Sequence, residues 1–340
     1  MLRLPQFQVA EPRTVAEAVE IMARHAPGKA IYIAGGTDLV PNMKHGLFAP
    51  EVVVALRGIE ELRGIRVGQD GALAIGPMTT LTEVAESAEV RARAPALAQA
   101  AGLVSGPQLR NVGTLGGNVM LDTRCQWYNQ TYFWRKSLGF CMKKDGSLCH
   151  VVQGGSRCVA AASNDTAPAL MSLDAEVEFR GPGGAARLRL DDLWQADGIW
   201  NKKVTPRDLL VAIRVPAQAP GHRGAYGKLR ERGSIDFPLF GVAVRLDFGG
   251  DGRVGGAALA AVALQARPWR MRHTDVLLGT RPGAADFDAA VEEVARQAHK
   301  QCIPMPNVPG DSDYRHEMVP VFTRRTLQAA AASRATASAR

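Results

Sequence analysis

Residues 31–44 read IYIAGGTDLVPNMK, and the adjacent glycines Gly35 and Gly36 in their middle decide the fold. The β-branched and aromatic residues before them predict a short strand, and the run after Asp38 predicts a helical stretch. Between the two, a backbone without Cβ atoms approaches a ligand closely, and its N–H groups can converge on an anion such as a pyrophosphate. A plain tight turn is the competing reading, since glycine pairs are ordinary turn chemistry. A second copy of the device favours the ligand: Thr114–Asn118 reads TLGGN. Neither copy fits the phosphate loop ending in Gly-Lys-Ser/Thr or the G-x-G-x-x-G dinucleotide fingerprint.

Outward from these turns the chain alternates helix and strand signals. Thr14 with Glu17 predicts a capping box opening a helix through TVAEAVEIMARHAPG, and Pro27-Gly28 ends it. EVVVAL is the next strand, IRVGQDGALAIG a hairpin, Thr80 with Glu83 a second capped helix start, and PALAQAAGLV a further helix. From about Asp191 the texture turns β-rich, with DLLVAIRVP, GAYGKLRERG, FGVAVRLDF and AALAAVAL predicting a meander. Helices from Phe287 to Lys300 and from Ser312 to Ala331 are expected to pack on it. The class is α+β, with no internal repeat.

At 340 residues, 46% hydrophobic and 22% charged, the chain has room for two or three soluble domains. Pro5 breaks the only apolar run near the start, and no stretch approaches the ~20 apolar residues of a membrane span. A cytoplasmic protein without a membrane segment is expected. The net charge of +8 sits in two places: six Lys/Arg against Asp145 between Arg124 and Arg157, and four Arg after Thr323. No element for reading nucleic acid accompanies either, so no nucleic-acid partner is expected.

The first basic segment is also where the cysteines are. Residues 125–158 hold Cys125, Cys141, Cys149 and Cys158, four of the five in the chain, separated by 15, 7 and 8 residues. Four thiolates suit an iron–sulfur cluster or a structural zinc ion, and the spacing lacks the C-x2-C knuckles that would decide between them. Free thiols are the third reading. Trp127, Tyr128, Tyr132, Phe133, Trp134 and Phe140 are placed to keep water from a metal group. Cys302 reads as a small buried hydrophobe, and His150 as a spare ligand that four cysteines make unnecessary.

The stretches IYIAGGTDLVPNMK, RNVGTLGGN, NDTAPALMSLDAEV and GKLRERGSIDFPLFGVAV together resemble the FAD-binding subunits of molybdenum hydroxylases, the xanthine dehydrogenase family. The resemblance implies a two-part FAD-binding domain of the molybdopterin dehydrogenase flavoprotein type over 1–190, with a subdomain boundary near 57. It further implies a cysteine-rich insertion at 122–163, a C-terminal α+β domain at 191–331 and a disordered tail at 332–340. It assigns FAD contacts to Tyr32, Ile33, Ala34, Gly35, Gly36, Thr37, Asp38 and Leu39, to Thr114, Leu115, Gly116, Gly117 and Asn118, and to Asp165. Val104, Leu209 and Lys228 match positions near the isoalloxazine. For Leu209 a core strand position is the plainer reading, and for Lys228 a surface lysine.

In ordinary members a dozen residues separate the TxGGN turn from the D-x-A-P element; here roughly forty intervene between NVMLD and NDTAPAL, and the cysteines lie among them. Such an insertion resembles the β subunits of 4-hydroxybenzoyl-CoA reductases, which implies a [4Fe–4S] cluster on Cys125, Cys141, Cys149 and Cys158. The implied protein is an electron-transfer subunit with FAD and one such cluster. It would sit in a dimerised hetero-oligomer with subunits carrying [2Fe–2S] clusters and a molybdenum cofactor, dehydroxylate 4-hydroxybenzoyl-CoA, and take electrons from ferredoxin. The alternatives are a molybdenum hydroxylase oxidising an aromatic or heterocyclic substrate, and a flavin scaffold with a zinc docking module. No residue of the chain is expected to do acid–base chemistry on the organic substrate. The basic run Arg124, Arg135, Lys136, Lys143, Lys144 and Arg157 is expected either to dock an acidic ferredoxin or merely to stay solvated.

Overall fold

Thr14 sets where the first helix begins: its side chain accepts from the Glu17 N–H, and α1 (Val15–Arg24) follows with Ala18 and Met22 buried. The capping box closes differently from expectation, because Glu17 reaches past the cap to the Arg13 N–H at 2.7 Å. Thr80 and Glu83 do complete both halves of theirs. The computed structural model describes residues 2–333; the expected disordered tail falls, from residue 334 on, outside the described residues.

The N-terminal layer is a parallel sheet of β1 (Gln8–Ala10), β2 (Ala30–Ile33) and β3 (Val52–Ala55), in the order β1-β3-β2. The middle strand β3, VVVA, is buried at every position, as a strand covered on both faces requires. The chain leaves β2 through the first Gly-Gly turn into α2 (Leu39–Lys44).

The second layer starts with the expected hairpin, β4 (Ile65–Val67) and β5 (Leu73–Ile75). Short helices follow: α3 (Leu81–Glu86), α4 (Ala88–Arg93), α5 (Pro95–Gly102), α6 (Pro107–Arg110) and α7 (Leu115–Val119). The cysteine-rich insertion contains α8 (Tyr132–Ser137), and α9 (Thr166–Ser172) comes after it. Three strands then complete an antiparallel sheet: β6 (Glu176–Gly181), β7 (Gly184–Arg189) and β8 (Leu209–Val215), ordered β4-β5-β8-β6-β7.

Strand β8 corrects the sequence reading, which put DLLVAIRVP at the head of the C-terminal meander. It lies instead in the middle of this sheet, with Ile213 opposite both Ile75 and Val177. Leu210, Ile213 and Val215 fill the core that Leu73, Ile75, Val177 and Phe179 leave open. Alternation marks a strand and its inward face but does not say which sheet completes itself with it.

The meander proper runs through β9 (His222–Leu229), β10 (Phe240–Phe248), β11 (Val254–Val262) and β12 (Trp269–Arg270). On one face lie α10 (Ala285–Gln301) and α11 (Ser312–Ala332), contributing Phe287, Val291, Val294, Val319 and Leu327. The other face meets α5 and α9, and α9 is buried along its whole length. A sheet covered on both sides explains why FGVAVRL is nearly continuously apolar. Among the described residues no helix is long and apolar enough to cross a membrane.

Candidate cofactor sites at the glycine turns and the cysteine insertion

The two Gly-Gly turns touch. A Cβ on Gly35 would lie 2.0 Å from the Val112 carbonyl oxygen, and one on Gly113 would lie 3.4 Å from Thr37 Oγ1. Gly36 has φ +73°, a conformation L side chains rarely adopt. The N–H groups of Gly36, Thr37 and Asp38 have no hydrogen-bond partner among the described residues. They remain available to an anion.

The second turn is different, and here the expectation of converging N–H groups needs correction. Leu115 N–H donates to Thr79 O, Gly116 N–H to Pro77 O, Gly117 N–H to Thr114 Oγ1 and Asn118 N–H to Thr114 O. Its amides are therefore spent on the fold. Gly116 is required by packing, since its Cβ would stand 2.4 Å from Pro77 Cβ. A Cβ on Gly117 meets nothing closer than Thr114 Oγ1 at 3.1 Å and Ala34 Cβ at 3.9 Å, so this glycine lines open space beside the first turn.

Asp165 and Lys228 meet as an ion pair at 2.9 Å, with side chains 3% and 1% exposed. Lys228 is not the surface lysine of the plainer reading. Its Nζ also donates to Leu103 O, next to Val104, while Tyr226 donates its hydroxyl to the other Asp165 oxygen at 2.8 Å. Burial drives the Asp165 carboxyl above its usual range, against Lys228 and Tyr226, which hold it down. Both carboxylate oxygens are engaged within the protein, so Asp165 braces the region. Asn118 joins it to the second turn by accepting from both the N–H and the hydroxyl of Thr166. Leu209, at the start of β8, packs with Tyr32 and Ala34 in the N-terminal core, as its plainer reading had it. The seventeen residues assigned to FAD from sequence thus lie in one connected region.

Four cysteines widely spaced in sequence line one small cavity, together with Trp127, Tyr128, Met142, Lys143, His150, Val151, Val159 and Ala160. Cys125, Cys141 and Cys158 are buried and Cys149 is half-buried; all are free thiols. Backbone N–H groups point at sulfur, from Val152 to Cys149 at 3.4 Å and from Ala160 to Cys158 at 3.5 Å. Burial pushes the Cys125 thiol up to about 12 and the Cys158 thiol to about 11, and neighbouring cysteines add to both. Unliganded, such thiols stay protonated and inert, unlike a low-pKa reactive cysteine. His150 is engaged elsewhere, with Nε2 2.6 Å from Phe140 O. Cys302 lies in the core between the meander and its helices, fully buried.

The thiol separation bears on which group fits. Around one zinc ion, bonds of about 2.3 Å in tetrahedral array bring sulfurs to roughly 3.8 Å of one another. Among the described residues the only three ligand side chains whose donor atoms all fall within 4.8 Å are His299, His316 and Glu317. No three of the cysteine sulfurs converge that tightly. Four thiols around one apolar cavity supply the donor set of a polynuclear cluster.

Of the aromatics expected to shield this cavity, Trp127 and Tyr128 do so, and Trp134 backs Trp127 with ring centroids 5.8 Å apart. Phe133 points to solvent at 80% exposure, and Tyr132 and Phe140 flank the Arg135 guanidinium. Part of the basic run, expected either to dock an acidic partner or to stay solvated, is turned inward. Arg124 pairs with Asp38, Arg135 is 1% exposed and bonded to Asp145 and Gly46 O, and Lys143 is 3% exposed and bonded to Asp122. Only Lys136, Lys144 and Arg157 retain appreciable exposure. Sequence reasoning missed Asp122, whose cation partner Lys143 sits 21 residues along the chain and leaves no local signal.

The insertion packs against α2. Leu47 beyond its C-terminus joins Cys125, Cys141 and Cys158 in one apolar cluster, and Arg135 donates to the Gly46 carbonyl. At the other end of α2 stands the Gly35-Gly36 turn. Six helical residues separate the two ends, about 9 Å.

Comparison with known proteins places these features. Residues 5–218 match the family described as FAD binding domain in molybdopterin dehydrogenase, and residues 225–330 match the CO dehydrogenase flavoprotein C-terminal domain. The chain is 30% identical to the carbon monoxide dehydrogenase medium chain of Hydrogenophaga pseudoflava, covering 96% of this chain and 97% of that one. It is 34% identical to the aldehyde oxidoreductase FAD-binding subunit of Escherichia coli, covering 80% and 86%. The fold is similar to the carbon monoxide dehydrogenase of Hydrogenophaga pseudoflava that lacks the Mo-pyranopterin moiety, with TM-score 0.77, 28% identity and coverage of 96% and 98%.

Proposed function

Because the chain belongs to the family of FAD-binding subunits of the molybdopterin dehydrogenases, we propose that it is a two-cofactor electron-transfer subunit, holding FAD at the glycine turns and a [4Fe–4S] cluster on Cys125, Cys141, Cys149 and Cys158. The observation that carries this reading is the convergence of all four cysteines on one apolar cavity at the far end of the helix that leaves the first glycine turn. Bound together, the two groups would supply stepwise passage of electrons between a two-electron and a one-electron carrier.

The protein's part is binding and placement. Gly36, Thr37 and Asp38 offer free amides, and the bare Cα of Gly117 leaves room beside them. Tyr32 to Leu39, Thr114 to Asn118, Val104 and Leu209 form the walls, braced by Asp165 and Lys228. Trp127 and Tyr128 keep water from the cysteine cavity. In the complete enzyme, partner subunits carry the molybdenum cofactor and [2Fe–2S] clusters, in a dimerised assembly. The insertion supports the reductive branch, dehydroxylation of 4-hydroxybenzoyl-CoA with ferredoxin as donor.

A second reading has its own support. The relatives described above are by name a carbon monoxide dehydrogenase medium chain and an aldehyde oxidoreductase subunit, which favours substrate oxidation with the cluster as an electron exit. The inward ion pairs of Arg124, Arg135 and Lys143 weaken the argument for ferredoxin. Both readings share the two cofactors. Iron, acid-labile sulfide and flavin assays on anaerobically purified protein test them, with about four irons and four sulfides per FAD expected. Zinc in place of iron would leave the docking-module alternative. Assays of the intact complex with 4-hydroxybenzoyl-CoA and with aldehydes then separate reduction from oxidation.

A further inference from the structure

Lys143 lies between Cys141 and Cys149 in sequence, and its stem lines the cysteine cavity. Its side chain is 3% exposed. The ammonium donates to Asp122 Oδ1 at 2.8 Å, Thr123 Oγ1 at 2.7 Å and Gly198 O at 2.6 Å, and stands 4.7 Å over the Tyr128 ring. Each partner is tied to the site. Asp122 ends the chain segment leaving the second glycine turn and also accepts from the Tyr128 hydroxyl. Gly198 donates its N–H to Cys158 O at 2.8 Å, and a Cβ there would stand 2.9 Å from Cys158 Sγ. A surface lysine would not be held by three oxygens out of water.

Burying an ammonium costs several kcal/mol unless its surroundings compensate. One carboxylate does so only in part, because Asp122 also acts on a second buried cation: Lys202, 1% exposed, whose Nζ donates to Leu121 O at 3.0 Å. Asp38 acts on both lysines as well but is itself paired with Arg124, so the region beside the cysteine cavity holds three cations, Lys143, Lys202 and Arg124, against two carboxylates, Asp122 and Asp38. A cluster on four thiolates carries net negative charge and gains another when reduced, and at low dielectric a fixed cation favours the reduced form.

We propose that Lys143 is a positioning residue that raises the cluster's reduction potential, with Asp122 setting how much of its charge the cluster feels. The inference rests on the reading of the four cysteines as cluster ligands. The couple is a one-electron step, the electron supplied in the test by dithionite through mediators, with no bond made or broken.

The experiment is a potentiometric titration, followed by electron paramagnetic resonance, of anaerobically purified wild type, Lys143→Met, Lys143→Arg and Asp122→Asn, each assayed first for iron, sulfide and FAD. At the potential that half-reduces wild type, Lys143→Met should show a ratio of reduced to oxidised cluster about tenfold lower, a downward shift of about 59 mV for one electron. Asp122→Asn, which frees the cation from its counter-charge, should shift upward, and Lys143→Arg should stay near wild type. A merely structural lysine would change iron content or stability without moving potentials in opposite directions. Iron-loaded Lys143→Met and Asp122→Asn with unmoved potentials overturn the proposal. Should Lys143→Met lose its iron, Asp122→Asn decides alone: an upward shift sustains the proposal, and none or a downward one ends it. Wild type without iron defeats the cluster reading instead, and this proposal with it.

Discussion

The carbonyl oxygen of Val112 occupies the place where a side chain on Gly35 would begin, only 2.0 Å from the ideal Cβ position. The first glycine turn is therefore locked against the segment leading into the second, and the two serve as one unit. Gly35 makes the contact between the turns possible, whereas Gly117 borders free space.

This separation predicts different outcomes for two substitutions. Gly35→Ala should destabilise the fold by at least the ~1–3 kcal/mol typical of overpacking, because the obstacle is backbone. Gly117→Val should leave the thermal midpoint within a few degrees of wild type yet lower FAD occupancy at least tenfold. Absorbance at 450 nm against protein, with thermal unfolding, checks both. Full flavin in Gly117→Val would remove that turn from the cofactor site.

The cysteines should act together. Each Ser replacement at Cys125, Cys141, Cys149 or Cys158 leaves one iron short of a thiolate and should lower iron content by half or more. Cys302→Ser, in a separate core, should leave iron unchanged while costing about 1 kcal/mol or more for a buried hydroxyl. Iron analysis and denaturant midpoints give the comparison. An iron loss in Cys302→Ser equal to the others would break the ligand set.

What was legible in the sequence follows the range of the forces involved. The first glycine turn, the Thr80 cap and the β4–β5 hairpin are local devices whose chemistry sits within a few residues, and they form where expected, whereas TLGGN forms the start of helix α7. Strand β8 was recognisable as a strand but not as a member of its sheet, because its partners Leu73–Ile75 and Glu176–Arg180 lie far from it in sequence. Charge was the least legible. Arg124 and Asp38 are 86 positions apart and Lys143 and Asp122 are 21 apart, so half of a run read as exposed, whether docking or solvated, is tied inward by ion pairs. Counting basic residues gives the net charge of a segment and says nothing of which face they take.

The Asp165–Lys228 pair lets structural and ligand roles be told apart. Removing one partner strands a buried charge, so Lys228→Met should cost ~3–5 kcal/mol, and Asp165→Asn in the same protein should recover part of that. The flavin content of the double variant then reports on the pair without a stranded charge. If the pair only braces the walls, the double variant retains FAD with a Kd within a few-fold of wild type. A hundredfold weaker Kd with stability recovered would make the pair a direct contact.

Lys202 predicts a dependence of stability on pH. Buried, and hydrogen-bonded only to Leu121 O and Asn201 Oδ1, its ammonium is driven down from 10.5 to about 8, chiefly by desolvation. Below about 8 both folded and unfolded chains hold the proton, and the fold bears the full penalty of burying it. Between about 8 and 10.4 the unfolded chain keeps a proton that the folded one has released, so folding stability rises with pH. The shift corresponds to about 3 kcal/mol across that interval. Other groups titrate there too, so the quantity to follow is the stability of wild type minus that of Lys202→Met. That difference should move in favour of wild type from pH 7.5 to pH 10 in urea denaturation of the flavin-loaded protein. Parallel pH curves for the two proteins would show that the lysine keeps its ordinary affinity for the proton.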